Sequence, residues 1–269
     1  MATIKGPFDF TGSFGNLRCY DDPATGKRIL AKKGGYTRNQ FETLASLEKN
    51  RKNANDFGGT SIWASLLYKS LSDLKHLMHP RCFNNITSVG KQIQRQDVTS
   101  SQGLRRIEVR RDLQAIEQIN FNEPRPLSSL IRKSYEINFL PDKKTVNLSI
   151  PGFVPATDAW WVSKYLAVRL YLVVAQISDM AWDPKDKKYE PVVPDLETLS
   201  CKVVSDWIAN NSIPVDVNLS VSLDEPAFSS PGTAVVVAMG VEFALTANDG
   251  QHVALPHNGS VAIVRCFNQ

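Results

Sequence analysis

The chain has 269 residues, 42% hydrophobic and 22% charged, with a net charge of +4. These proportions exclude a disordered tail, a collagen-like fibre and a helical membrane bundle, since no apolar run reaches the roughly 18 residues that a spanning helix needs. The net charge conceals an asymmetry: residues 1–133 carry 22 Lys+Arg against 12 Asp+Glu, or +10, and residues 134–269 carry 9 against 15, or −6.

Copies of such a molecule offer each other the sign they lack, so head-to-tail association is expected. The opening Met1–Pro7 lacks the apolar core of a secretion signal, which points to a cytoplasmic protein or an assembled particle. Four cysteines, Cys19, Cys82, Cys201 and Cys266, stand far apart without a Cys-x-x-Cys pair, so free thiols are expected.

Ile4, Phe8, Phe10 and Phe14 fall at even spacing, as in a strand with one apolar face. Leu17 and Cys19 alternate likewise, the Asp21–Gly26 run is dense in turn residues, and Ile29 and Ala31 resume the alternation. This pattern predicts a β-hairpin. A terminal strand with an apolar face needs a partner, so residues 3–14 are expected to add as a strand to a second copy, the alternative being pairing with their own hairpin. Lys32 and Lys33, ahead of Gly34-Gly35 and a helix start, are a candidate anion contact, with a plain turn the stronger reading.

Thr37-Arg38-Asn39-Gln40 has the form of a capping box, and Tyr36 and Phe41 stand where a hydrophobic staple would, which predicts a helix from Arg38. A second helix is predicted from about Thr60. Its stripe is Ile62, Trp63, Leu66, Leu67, Leu71, Leu74, Leu77 and Met78, ended by Pro80. Residues 83–95 and 104–118 are weaker helical candidates. Asn120–Pro126, with two prolines and no period, reads as a linker.

Beyond it the period changes to two: Val146–Ile150, Leu166–Val174, Val215–Leu223, Val235–Leu245 and Val261–Ile263 all alternate. The expected architecture is therefore α+β. A basic β-hairpin and helical region over 1–119 is followed by a linker over 120–126 and an acidic antiparallel β-sandwich over 127–269.

Few residues offer chemistry. His76, His79 and Cys82 are spaced by three, but Pro80 interrupts the helix that would aim them at one metal. His252, His257, Asp249 and Ser260 lack a nucleophile-elbow pattern. No catalytic residue, metal or cofactor is expected. Lys91, Arg95, Arg105, Arg106, Arg110 and Arg111 form a basic stretch with Arg106 and Arg110 on one helix face. No aromatic residue interleaves them, so nucleic-acid binding is a weaker reading. Trp160, Trp161 and Trp182, in or near predicted loops, are candidate interface anchors or sugar platforms.

Several segments carry a family resemblance. Lys5–Asn16, Lys32-Lys33-Gly34-Gly35, Asn53–Gly58, Val146–Pro155 and Gly240-Val241-Glu242-Phe243 resemble an uncharacterised protein family common in Bacteroidota, with Asp56 where that family's Asn-x-x-Glu-Phe-Gly segment has glutamate. The resemblance brings no assigned activity. Its composition is similar to that of virion-like structural proteins. The function expected is that of a non-enzymatic subunit whose partners are copies of itself in a filament, tube or shell. The alternative is a cytoplasmic binding module for nucleic acid or carbohydrate.

Overall fold

The computed structural model describes residues 2–3, 10–22, 25–142, 144–160, 165–224, 231–246 and 251–268. The chain divides into two compact units, residues 1–51 and 52–269.

The first unit is a small antiparallel sheet followed by a short helix. Its strands are β1 (Ala2–Thr3), β2 (Gly12–Phe14), β3 (Leu17–Asp21) and β4 (Arg28–Lys32), in the order β1-β4-β3-β2. The helix α1 (Arg38–Thr43) starts where its capping box predicts. Thr37 Oγ1 accepts from the Gln40 amide at 3.2 Å, and Gln40 Oε1 accepts from the Thr37 amide at 2.9 Å.

The helix α2 (Glu48–Ser70) leads into the second unit. It begins a dozen residues before the apolar stripe, and these turns carry polar side chains with partners outside the helix: Arg51 Nη1 donates to the Phe41 and Leu44 carbonyls, and Asp56 Oδ1 accepts from the Gly103 amide. After Ser70 the chain tightens into a 3-10 turn over Ser72–Leu77. Leu71, Leu74 and Leu77 recur every three residues, the period that a 3-10 helix brings to one face, and all three are fully buried.

Three short or medium helices follow: α3 (Cys82–Arg95), α4 (Leu113–Glu117) and α5 (Leu127–Leu130). The expected helix over 104–118 forms only at its end. Ile107 instead exchanges backbone hydrogen bonds with Met180, both at 2.9 Å, and the Val109 amide donates to Asp179 Oδ1 at 2.8 Å. Arg106 therefore lies in extended chain and shares no helix face with Arg110.

The remaining elements are β5 (Glu136–Phe139), β6 (Thr145–Phe153), α6 (Pro155–Asp158), β7 (Ala167–Ser178), β8 (Met180–Asp183), β9 (Lys188–Pro191), β10 (Cys201–Val204), β11 (Ile208–Ala209), β12 (Val215–Ser222), β13 (Thr233–Thr246) and β14 (His252–Phe267). All pairings are antiparallel. The larger sheet runs β10-β7-β13-β14, with β11 also on β7. A second sheet runs β12-β6-β5, and β8-β9 is a hairpin.

The protein is thus α+β, with mixed helices and antiparallel sheets. One face of the larger sheet, through Tyr171, Val173, Ala175, Val236 and Ala238, packs on the helices. The other, through Leu170, Leu172, Val174, Val235 and Val237, packs on β6 and β12. A free-standing two-sheet sandwich is not what forms, because both faces of β7 and β13 are buried and the helices cover one of them.

The expected linker is part of the same core. Phe121 is fully buried, its amide donates to Val261 O at 2.9 Å, and its carbonyl accepts from the His79 amide at 2.9 Å. Ile119–Phe121 therefore lines the outer edge of β14. The basic and acidic halves are consequently not two domains. Residues 1–51 carry 9 Lys+Arg against 5 Asp+Glu, or +4, and the remaining 22 and 22 cancel over residues 52–269.

Asp97 closes the turn after α3. Its Oδ1 accepts from Thr99 N, Thr99 Oγ1 and Ser100 N, and its Oδ2 accepts from the Arg106 amide at 2.8 Å. Burial pushes this carboxyl up, but the hydrogen bonds from Ser100, Thr99 and Arg106 together outweigh it and hold the group far below the ordinary carboxylate range. A depressed carboxylate contributes stability that is complete above its unfolded value, near about pH 4, and is lost as the pH falls further. Asp97→Asn is expected to lower stability at neutral pH and to flatten its fall below about pH 4. Denaturant titrations across an acid series check this, and parallel curves for the two proteins would refute it.

Candidate functional site

The first unit exposes apolar surface where a folded unit would bury it. Among its described residues only Cys19 and Leu47 are buried. Phe14 pairs with Leu17 across β2 and β3, so the two side chains share a face with Cys19 and Leu30. Phe14 is 78% exposed and Leu17 41%. Phe10, Tyr36 and Leu44 are exposed as well.

The described parts of the N-terminal arm pair within their own chain, β1 on β4 and β2 on β3. Ile4 and Phe8 lie outside the described residues. Both β1 and β2 are edge strands of this sheet.

Lys32 ends β4 and Lys33 follows it, its amide donating to Asn16 O at 2.6 Å. The six-residue helix that follows spends two of its terminal amides on its own capping box, and Lys32 is a strand residue paired with Leu17 rather than part of a turn.

In the second unit, a groove of about 570 Å³ opens between β10–β11 and β12. Val203, Ile208, Val217 and Leu219 line it together with Trp207, and Asp206 and Asp216 also face it. The two strand edges beside it belong to different sheets, since β10 and β11 pair with β7 and β12 pairs with β6.

Two buried polar clusters lie elsewhere in this unit. Glu242 of β13 stands opposite Arg169 of β7 and is 2% exposed. Its Oε2 accepts from Arg169 Nε at 2.7 Å and from the Tyr171 hydroxyl at 2.6 Å, and His76 Nε2 lies 3.5 Å from its Oε1. The Arg169 guanidinium also lies over Trp207, 4.3 Å from the ring centre. Burial, then the bond to Glu242, pushes the Tyr171 phenol far above its ordinary value.

A histidine held by a carboxylate is two parts of a proton relay. Among the described residues no hydroxyl or thiol hydrogen-bonds to His76 to supply the third. The charged pair was legible in part: Glu242 and Arg169 each interrupt an apolar strand run, and such charges call for a cross-strand partner.

The second cluster centres on Asp56, with Lys91, Gln94, Arg105 and Tyr189 around it. It takes up much of the basic stretch, since Lys91 and Arg105 each lie 3.9 Å from Asp56 Oδ2, while Arg111 Nε is 2.6 Å from Glu108 Oε2. Arg95, Arg106 and Arg110 remain exposed.

The other proposed chemistry is not assembled. His79 Nδ1 accepts from the Arg81 amide, and Cys82 is buried with its thiol pushed up by burial, as are those of Cys201 and Cys266. His252 contacts Thr246 Oγ1 at 3.1 Å, whereas Ser260 Oγ is buried with no hydrogen-bond partner. Asp249 and the His257 side chain lie outside what is described.

Among the described residues, one carboxylate group, Asp183, Asp186 and Glu190, gathers within 4.8 Å. Lys188 Nζ is already 2.7 Å from Glu190 and 3.5 Å from Asp186. Trp160 is 39% exposed, Trp182 is half-buried edge-on to Tyr189, and Trp161 lies outside the described residues. No described helix is long and apolar enough to cross a membrane.

No protein-family model and no curated protein matches the chain.

Proposed function

We propose that the chain is a non-enzymatic structural subunit that self-assembles, with its N-terminal sheet as the contact between copies. One observation carries this reading: Phe14 and Leu17 form an exposed cross-strand apolar pair in a unit whose described residues bury only Cys19 and Leu47. A second copy would remove those side chains from water, at roughly 1.5–3 kcal/mol for each one fully buried. The unit's charge of +4 favours an acidic receiving surface. Nucleic acid has less support as a partner, because Lys91, Arg105 and Arg111 already face carboxylates of their own chain.

Sedimentation velocity and negative-stain microscopy of the full chain over a concentration series test the proposal. Larger species are expected to grow with concentration and to dissociate as salt rises, since exposed charges are screened within about 8 Å at physiological ionic strength. Phe14→Ser is expected to weaken association by about ten- to a hundredfold while leaving the unfolding transition in place. A chain that stays monomeric at high concentration would refute the reading.

A further inference from the structure

We propose that the groove between β10–β11 and β12 receives strand β2 of a second copy, adding it to the free edge of β12. The inference rests on the self-assembly reading above and names the receiving surface.

The edge carries no ladder. Strand β12 pairs with β6 on one side, and no described strand pairs with its other side, although β10 packs close to it beside the groove. An edge strand leaves alternate backbone N–H and C=O groups without ladder partners, and folded monomers blunt such edges with Lys, Pro or short length. Strand β12 is eight residues long and contains neither Lys, Arg nor Pro; its single irregularity, between Val215 and Val217, is at its first residues. Its side chains alternate strictly, with Val217, Leu219 and Val221 buried and Asp216, Asn218, Ser220 and Ser222 exposed.

The incoming strand has the matching pattern. Phe10, Gly12 and Phe14 fall at one parity, and Thr11 and Ser13 at the other. Laid beside β12, the phenylalanines turn into the groove against Val203, Ile208 and Leu219, and Thr11 and Ser13 lie outward beside Asn218 and Ser220. A shift by one residue would put both phenylalanines in water and both hydroxyls in the groove, so the pattern selects which face of the incoming strand turns inward. Strand β2 has a free edge too, because it is the last strand of its own sheet. Charge agrees: a +4 unit approaches a groove bearing Asp206 and Asp216.

The test is a thiol cross-link between copies, in chains carrying Cys201→Ser because that half-buried thiol belongs to β10. One copy carries Ser13→Cys and the other either Asn218→Cys or Ser220→Cys. All three positions are exposed, so folding should be unaffected. Neighbours across an added strand come within the 4.4–6.8 Å Cα separation that a disulfide requires. Mild oxidation of mixed copies is expected to join them at the introduced thiols, mapped by mass spectrometry, and either copy alone is expected to give no such link. Asp206→Lys is expected to weaken association by roughly two- to fivefold, less so in high salt.

Assembly without a cross-link at either β12 position, and unchanged by Asp206→Lys, would overturn the groove assignment and leave self-assembly standing. A link formed within one chain would also overturn it. Failure of the unmodified chain to assemble would bring down both readings.

Discussion

Replacing Asp56 by alanine is expected to destabilise the protein by about 3 kcal/mol, at the low end of what breaking a buried ion pair costs. The carboxylate is 1% exposed in α2 and ties three other elements to it. Its Oδ1 accepts from the amides of Gly103 at 3.0 Å and Arg105 at 3.2 Å, and the Tyr189 hydroxyl lies 3.2 Å away. Its Oδ2 lies 3.9 Å from both Lys91 Nζ and Arg105 Nη1. Alanine would strand two buried or half-buried amides and two cations. The loss stays near the low end because the Lys91 and Arg105 side chains are 25% and 31% exposed and can recover water. For a unit of this size, about 3 kcal/mol corresponds to roughly 6–12 °C in Tm. Asp56→Asn keeps an acceptor for the two amides and is expected to lose about half as much. Equal losses for the two variants, or none, would show that the charge or the whole network contributes little.

Trp63→Ala should cost more, about 3–5 kcal/mol. Trp63 is one of the largest fully buried side chains and lies in the layer between α2 and the larger sheet. Helix α3 approaches it closely because residue 90 is glycine: a Cβ there would lie 2.7 Å from Trp63 Cε3. Gly90→Ala alone is thus expected to overpack the contact by about 1–3 kcal/mol. In the Trp63→Ala background the added methyl would fill part of the cavity, so the double variant should be more stable than the sum of the singles predicts. Trp63→Phe is expected to cost much less, because it also removes an indole N–H that has no hydrogen-bond partner. Denaturant unfolding of all four variants gives the coupling, and simple additivity would contradict the close approach.

Groups of residues distant in sequence explain what the chain pattern did not reveal. Asp56 interacts with Arg105 and Tyr189, 49 and 133 positions away, and Glu242 with Tyr171, 71 positions away. No local period reports such partners. Residues 104–118 read as a helical candidate, yet the backbone at Ile107 is taken by Met180. The prolines of 120–126 read as a linker, but Phe121 ahead of them is buried among apolar side chains of the helices and β14.

The candidate interface was partly legible for a related reason. The even spacing of Phe10 and Phe14 marked an apolar face from sequence alone, and the structure shows Phe14 still exposed after β2 has paired with β3. The receiving groove had no such mark. The alternation of Val215–Leu223 predicted a strand, not whether that strand would end up inside a sheet or at its edge.

The sequence by itself determined the elements that short-range chemistry controls. The capping box placed the start of α1 at Arg38, period-two alternation placed β6 and β12, and near-continuous apolar runs marked β7 and β13. Only the tertiary structure decided the layering. Strands β7 and β13 are apolar on both faces, so they bury one against the helices and the other against β6 and β12, which joins the helices after residue 51 to the strands of the second half in one unit. The physical reason is range: caps and alternation act within a few residues, whereas the choice of which surfaces meet depends on burying every apolar face at once.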